Sequence, residues 1–228
     1  MSRLPRSVDE AVAAERDGVM LRHLFFWGHR PPRGGGVGPG CLSQWWEAPF
    51  TAGGHVFRSA EHYMMACKAW LFGDGGTAAR ILGARHPGEV KQLGREVRGF
   101  DETVWREHRY GIVVRGGVAK FGAHPELREF LLGTRGRVLV EASPVDRIWG
   151  IGLAADDARA ASPTAWLGLN LLGFALMDTR DALADDGPAD SGLADDGPKD
   201  GDPKGGDPKD GDPAAPGTGT GLIPNASQ

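Results

Sequence analysis

Glu61 and Lys68 stand seven residues apart in a run, Ala60-Glu61-His62-Tyr63-Met64-Met65-Ala66-Cys67-Lys68-Ala69-Trp70, that is otherwise largely apolar. At 3.6 residues per turn this spacing turns both side chains to nearly the same side, with Met65 between them. A helix that is apolar almost all round belongs in a core, where charge is costly unless it is paired or put to use. A carboxylate and an ammonium on one face therefore predict a polar pocket. A plainer role fits equally: Glu61 in the first turn complements the helix dipole, and Lys68 extends its amine to solvent.

Asp146 and Trp149 fall in a Gly-containing loop after a short β-branched stretch, a place where binding residues often sit; an Asp in a loop more commonly bonds its own backbone. Lys91, Arg95 and Arg98 cluster closely enough for a guanidinium to grip a phosphate, or simply to form a solvated basic face. Trp105, like Trp45, Trp46 and Trp70, could stack on a base or fill the core. Asn170 precedes an apolar run and is either an anion contact at a helix start or a cap. Cys41 and Cys67 are too few for a disulfide framework and lack metal-site spacing, so neither a metal nor a cofactor is expected.

The elements that must position these residues are mostly helical. Residues 9–17 fit a short amphipathic helix and Met20–Trp27 a strand. Prolines and glycines crowd between His29 and Gly40, predicting a long mobile insertion that could serve as a lid. His55–Phe57 reads as a strand, and Ser59 is placed to cap a helix running to about Phe72. Further helices are expected over Thr77–Leu82, Pro87–Arg95, Glu102–Lys120, Pro125–Thr134 and Leu169–Leu183, with a buried strand at Val138–Glu141. Short strands scattered among helices, without repeated strand–helix alternation, predict an α+β fold: one compact, mostly helical domain.

From Ala184 onward the sequence is almost wholly Asp, Gly, Pro, Lys and Ala, too poor in apolar surface to offset the entropy of ordering. The expected organisation is an N-terminal extension over residues 1–19, a domain over 20–183 and a disordered tail over 184–228. Ten Asp against three Lys give the tail a net −7, which leaves the preceding residues at +3 of the chain's −4. A mildly basic domain suits a phosphorylated small ligand and falls short of a dedicated duplex-DNA binder. Met1–Gly18 lacks the apolar core of a secretory signal, and no stretch is long enough to span a bilayer, so a cytoplasmic protein without a membrane partner is expected.

Read in order, Phe57-Arg58-Ser59-Ala60-Glu61-His62-Tyr63, Lys68-Ala69, Leu93-Gly94-Arg95, Phe100-Asp101 with Trp105, Lys120-Phe121, Glu141-Ala142-Ser143, Asp146, Trp149-Gly150-Ile151-Gly152 and Asn170-Leu171-Leu172-Gly173 resemble the YbiA/NADAR family, from about Phe25 to Leu183. The resemblance implies hydrolysis of an N-glycosidic bond between ribose C1′ and a base nitrogen. The implied substrate is a phosphorylated ribosyl intermediate of riboflavin synthesis or ADP-ribose on a nucleobase such as guanine, the latter free or in nucleic acid. It marks Glu61, Lys68, Asp146 and Trp105 as functional positions. Two departures touch the base specificity it implies: Leu42-Ser43-Gln44 stands where the family usually has Phe-Ser-Asn, and Met64-Met65 where a Gln is usual.

Such a reaction builds positive charge on the sugar and needs a proton for the departing nitrogen, a demand that two carboxylates meet. Glu61 and Asp146 are the expected pair, in either assignment. Lys68 is a candidate for attack on C1′ as a neutral amine or for phosphate binding, Trp105 and Trp149 for contacts to base or sugar, and Arg95 with Asn170 for phosphate. Two competing readings are a non-catalytic ADP-ribose or nucleotide-binding module, and a partner-binding protein in which Glu61 and Lys68 are merely a buried ion pair.

Overall fold

A computed structural model describes residues 3–185; the expected Asp/Gly/Pro-rich tail lies almost wholly outside them. The order of elements is α1 (Val8–Arg16), β1 (His23–Phe26), β2 (Phe50–Ala52), β3 (His55–Phe57), α2 (Ala60–Leu71), α3 (Gly75–Gly83), α4 (Pro87–Arg95), α5 (Glu102–Ala123), α6 (Pro125–Leu132), β4 (Val138–Glu141) and α7 (Leu171–Asp185). Short 3₁₀ turns occur at Pro39–Leu42, Ala158–Ala161 and Pro163–Ala165. The fold is α+β and mostly helical.

β1 and β4 pair in parallel, His23 opposite Val138 and Phe26 opposite Glu141. Val138, Leu139 and Val140 are fully buried, as a β-branched and aliphatic strand covered on both faces should be. α7 packs on β4 and on α5, and α2 is enclosed by α3, α4 and α5. β2 and β3 form a separate hairpin that the sequence reading only half anticipated. Gly53 and Gly54 both take positive φ, and two such residues make the tight turn that matches strand twist.

Several helix starts follow from their caps. The Asp74 carboxylate accepts from Thr77 N at 3.1 Å, and Asp101 accepts from Val104 N at 2.9 Å. Ser59 occupies the N-cap of α2 but makes no side-chain cap bond. Its hydroxyl is 2.8 Å from His62 Nδ1, and His62 Nε2 is 3.3 Å from the Ala84 carbonyl oxygen. The imidazole of the Glu-His pair is thus held by α2 and by the end of α3, and burial lowers its pKa.

The Pro/Gly-rich stretch predicted as a mobile insertion runs over the surface in turns and ends in the Pro39–Leu42 3₁₀ turn. Gly40 must be glycine, because a Cβ there would lie 2.5 Å from the Arg30 carbonyl oxygen. The N-terminal residues are fastened to α7: Arg6 Nε bonds Asp178 Oδ1 at 2.7 Å and its guanidinium also reaches Asp181, while the Tyr110 hydroxyl donates to Asp178 at 2.6 Å. Among the described residues no helix is long and apolar enough to cross a membrane.

Candidate active site

The carboxyl end of β4, the first turns of α2, and α4 converge on a cleft of about 280 Å³. Glu61, Lys68, Arg95, Asp146 and Trp149 from the sequence reading all line it, beside Ser43, Gln44, Trp45, Met64, Met65, Lys91 and Glu141. Residues far apart in the chain therefore share one cavity.

Glu61 is 4% exposed, and its backbone N–H donates to the Gln44 carbonyl at 2.9 Å, joining α2 to the cleft's opposite wall. Burial pushes its carboxyl up to about 7, with Lys91 and a hydrogen bond from Trp45 opposing the rise and Asp146 adding to it. At neutral pH the group stands between its two protonation states, which suits proton transfer. Asp146 uses one oxygen, Oδ1, to accept from Ile148 N and Trp149 N, both at 2.8 Å. The turn role and the site role coexist: the backbone bonds fix the carboxylate's direction while it lines the cleft.

Lys68 does not pair with Glu61 among the described ion pairs, so the buried-ion-pair reading fails. Its Nζ donates to the Gly94 carbonyl at 2.7 Å and lies 4.1 Å from the centre of the Phe100 ring and 5.7 Å from that of Trp105. Desolvation lowers its pKa, opposed by the charge of Glu102. Gly94 lets α4 lie this close to α2, since a Cβ there would lie 2.1 Å from Met65 Sδ.

Two expected contacts lie elsewhere. Trp105 is buried at the start of α5 and is not part of the cleft wall; its ring flanks Lys68, because the first turn of α5 packs behind α2. Asn170 is 0% exposed and also outside the wall. Its side chain accepts from Glu141 N and donates to the Leu139 carbonyl, both at 2.9 Å, so no amide atom is left for phosphate. Its φ of 51° is a left-handed conformation that Asn tolerates better than most residues. Arg98 is also withdrawn from the basic cluster, because its guanidinium bonds Asp74 at 2.8 Å. Lys91 and Arg95 remain at the cleft.

The loop bearing Asp146 and Trp149 is clamped by its backbone. Ile151 N donates to Glu141 O, Leu169 N to Arg147 O and Leu172 N to Trp149 O, at 2.9, 2.9 and 3.1 Å. A Cβ at Gly150 would meet the Glu141 carbonyl oxygen at 2.8 Å, and one at Gly168 would meet the Gly150 carbonyl oxygen at 2.3 Å, so these glycines allow the close chain approach.

Three further residues shape the cleft: Trp45, which the sequence left between a stacking and a core role, and Lys120 and Glu141, which it did not single out as site candidates. Trp45 forms one wall, with the His29 ring 5.6 Å away and Lys91 Nζ 6.0 Å from its ring centre. Lys120, 1% exposed, donates to the carbonyls of Cys41 and Ser43 at 2.7 and 3.0 Å, fixing the turn that leads to Gln44 and Trp45. Burial lowers its pKa to about 7. Glu141 ends β4, and burial plus the charges of Asp146 and Glu61 raise it to about 8 against the opposing effect of Lys91. Only its place in the Glu141-Ala142-Ser143 segment of the family resemblance marked it beforehand.

With the cleft described, comparison with known proteins decides the family. The NADAR domain model matches residues 25–184. The chain belongs to the NADAR family. The matched span contains every cleft residue named above. The domain is 41% identical over 165 residues to the N-glycosidase R617 of Acanthamoeba polyphaga mimivirus, covering 70% of this chain and 95% of that protein. N-glycosidase YbiA of Escherichia coli is 29% identical over 145 residues, 64% of this chain and 82% of the relative. The chloroplastic riboflavin biosynthesis protein PYRR of Zea mays is 34% identical over 139 residues, 57% of this chain but 20% of that longer protein. The NMR structure of E. coli YbiA has the same fold, with a TM-score of 0.57 and 25% identity over 72% of this chain and 86% of that one.

Proposed function

We propose that this NADAR domain is an N-glycosidase that hydrolyses the bond between ribose C1′ and a base nitrogen in a phosphorylated ribosyl compound. The observation that carries this reading is the meeting of Glu61 and Asp146 in one cleft with two tryptophans and three cations, Lys68, Lys91 and Arg95. A ligand-binding module has no need to bury a carboxyl at the cost of raising it to about 7. A hydrolase does, because a carboxylate near C1′ stabilises the oxocarbenium-like centre and accepts the proton of the attacking water.

In this reading Asp146, aimed by its two backbone N–H bonds, faces the ribose, and Glu61 activates water. Trp45 and Trp149 flank the base, while Lys91 and Arg95 meet the phosphate at the exposed edge. Lys68 serves as a cation: its carbonyl bond to Gly94 and its place over the Phe100 ring both favour the ammonium over a free nucleophilic amine. A cleft of about 280 Å³ lies just below the ~300–1,000 Å³ typical of small-molecule sites. That size suits one ribose with its base, so any ADP portion would extend outward past Arg95. Gln44 and Met64, whose amide nitrogen and sulfur are 3.9 Å apart, lie where the chain departs from the family pattern and line the wall available to the base. A cytoplasmic site of action accords with such substrates.

The test is release of base by the purified protein from ADP-ribosylated guanine in DNA, ADP-ribose, NAD and a ribosylaminopyrimidine phosphate, beside Glu61→Gln. Release from one class that disappears in the variant supports the reading and selects the substrate. Tight binding of a ribosyl phosphate without turnover would establish the binding-module alternative instead.

A further inference from the structure

We propose that Glu141 is a third catalytic carboxyl of this site, the acid that delivers a proton to the departing base nitrogen. This rests on the N-glycosidase reading and assigns the half of the reaction that Glu61 and Asp146 leave uncovered. Glu141 lies at the last position of β4, where its backbone N–H is held by Asn170 Oδ1 at 2.9 Å and its carbonyl by Ile151 N at 2.9 Å. The main chain at this point is therefore fixed, and the side chain lines the cleft with Glu61 and Asp146. Its Oε2 is buried and has no hydrogen-bond partner among the described residues. A buried carboxyl oxygen without a partner costs free energy in either protonation state, and a ligand nitrogen in the cleft would supply the missing partner.

The charged groups around it make the protonated form the resting one. Asp146 stands on its own loop, Glu61 faces it from α2 and Lys91 from α4. Lys68 and Arg95 complete the charged lining of the cleft. Burial and the two carboxylates outweigh Lys91, so Glu141 holds its proton to about pH 8, above the value near 7 for Glu61. Two carboxyls in one cavity with separated affinities can take opposite roles, the higher one as acid and the lower one as base. These three acids do not make a metal site; no group able to hold a metal ion is found among the described residues.

The step balances as a hydrolysis. The C1′–N bond breaks with its electron pair going to nitrogen, and the Glu141 proton is transferred to that nitrogen, so the base leaves neutral. Water adds to C1′ and gives its proton to Glu61, leaving a C1′ hydroxyl. Glu141, now a carboxylate, and Glu61, now protonated, return to their starting states by exchange with solvent.

The experiment compares the full-length wild type with Glu141→Gln on two substrates. One is the N-linked ribosyl phosphate that the wild type turns over, and the other is p-nitrophenyl riboside 5′-phosphate, whose phenolate leaves without a proton. Glutamine keeps the shape and can still donate a hydrogen bond, but it cannot release a proton. The expected result is a kcat loss of roughly 10²–10⁴-fold on the N-linked substrate, with the alkaline limb of its pH profile gone. Turnover of the nitrophenyl substrate should stay within about threefold, since a departing phenolate makes no demand on the acid. An equal loss on both substrates, or no loss on either, would overturn the assignment. The wild type provides a control free of folding effects: its alkaline limb should be present with the N-linked substrate, and its presence with any phenolate turnover as well would also overturn the assignment. Failure of the wild type to release base from any N-riboside would instead sink the underlying N-glycosidase reading.

Discussion

Glu61 combines near-complete burial with contact to a cleft, and its substitution separates the chemical and the structural consequences of that position. Glu61→Gln should reduce turnover by roughly 10²–10⁴-fold, the usual worth of a positioned acid or base, while leaving ligand affinity near that of the wild type; single-turnover kinetics beside equilibrium binding would check this. Lys91 opposes the rise of both Glu61 and Glu141. Lys91→Met should therefore shift both limbs of the pH–rate profile to higher pH, because each carboxyl then holds its proton more strongly. An unchanged profile would show that Lys91 does not act on these groups. Asn170 shows how residue type alone misleads: an amide ahead of an apolar helix has the pattern of an anion contact, yet both its polar atoms are used to fasten β4.

At the scale of elements, the site depends on how β4, the 143–152 loop and the start of α7 are tied together, with Asn170 as the central fastening. Asn170→Ala would leave the Glu141 N–H and the Leu139 carbonyl without partners and place a Cβ-bearing residue of lower tolerance at φ 51°. A loss of about 2–4 kcal/mol is expected in chemical denaturation. Asn170→Gly should be less damaging by about 1 kcal/mol, since glycine adopts positive φ freely but restores neither bond. Equal losses in the two variants would assign the whole effect to hydrogen bonding. Helix positions were largely legible beforehand: the α4 bounds follow from Pro87 and the apolar spacing, and β4 from its aliphatic run. The β2 strand was not, because Phe50–Ala52 is too short to show alternation and gains its identity only by pairing with β3 across two glycines.

Over the whole molecule, three ionisable groups displaced to values near neutral pH contribute to the pH dependence of stability. Glu61 and Glu141 ionise at about 7 and about 8 in the folded protein against an ordinary 4.5. The folded chain then binds more protons than the unfolded one, so this contribution is full below the unfolded value and is lost as pH rises through 7 and 8. Lys120 acts oppositely: lowered to about 7 from 10.5, it makes stability rise with pH across that interval. Thermal melts should show stability falling between about pH 5 and pH 7 and recovering toward about pH 10. Glu61→Gln should flatten the acidic fall, and Lys120→Met the alkaline rise. Lys120→Met should also lower turnover, because the carbonyls of Cys41 and Ser43 lose the amine that holds the Trp45 turn.

The sequence by itself determined the helical content, the α+β class and the family resemblance, and it singled out Glu61, Lys68, Asp146, Trp149 and Arg95, which the fold brings to one cleft. Each of these rests on local information: periodicity, caps, and residue types at fixed spacings in short segments. Only the tertiary structure decided that Trp105 lies behind Lys68, that Asn170 braces β4, that Arg98 belongs to Asp74, and that Trp45, Lys120 and Glu141 shape the cleft. The physical reason is that a polar atom's role is set by which partner reaches it first, and those partners lie 24 to 79 positions away along the chain in the bonds of Arg98, Asn170 and Lys120. Burial, which makes Glu141 hold its proton and Lys120 give its proton up, is likewise a property of the packed molecule and of no segment alone.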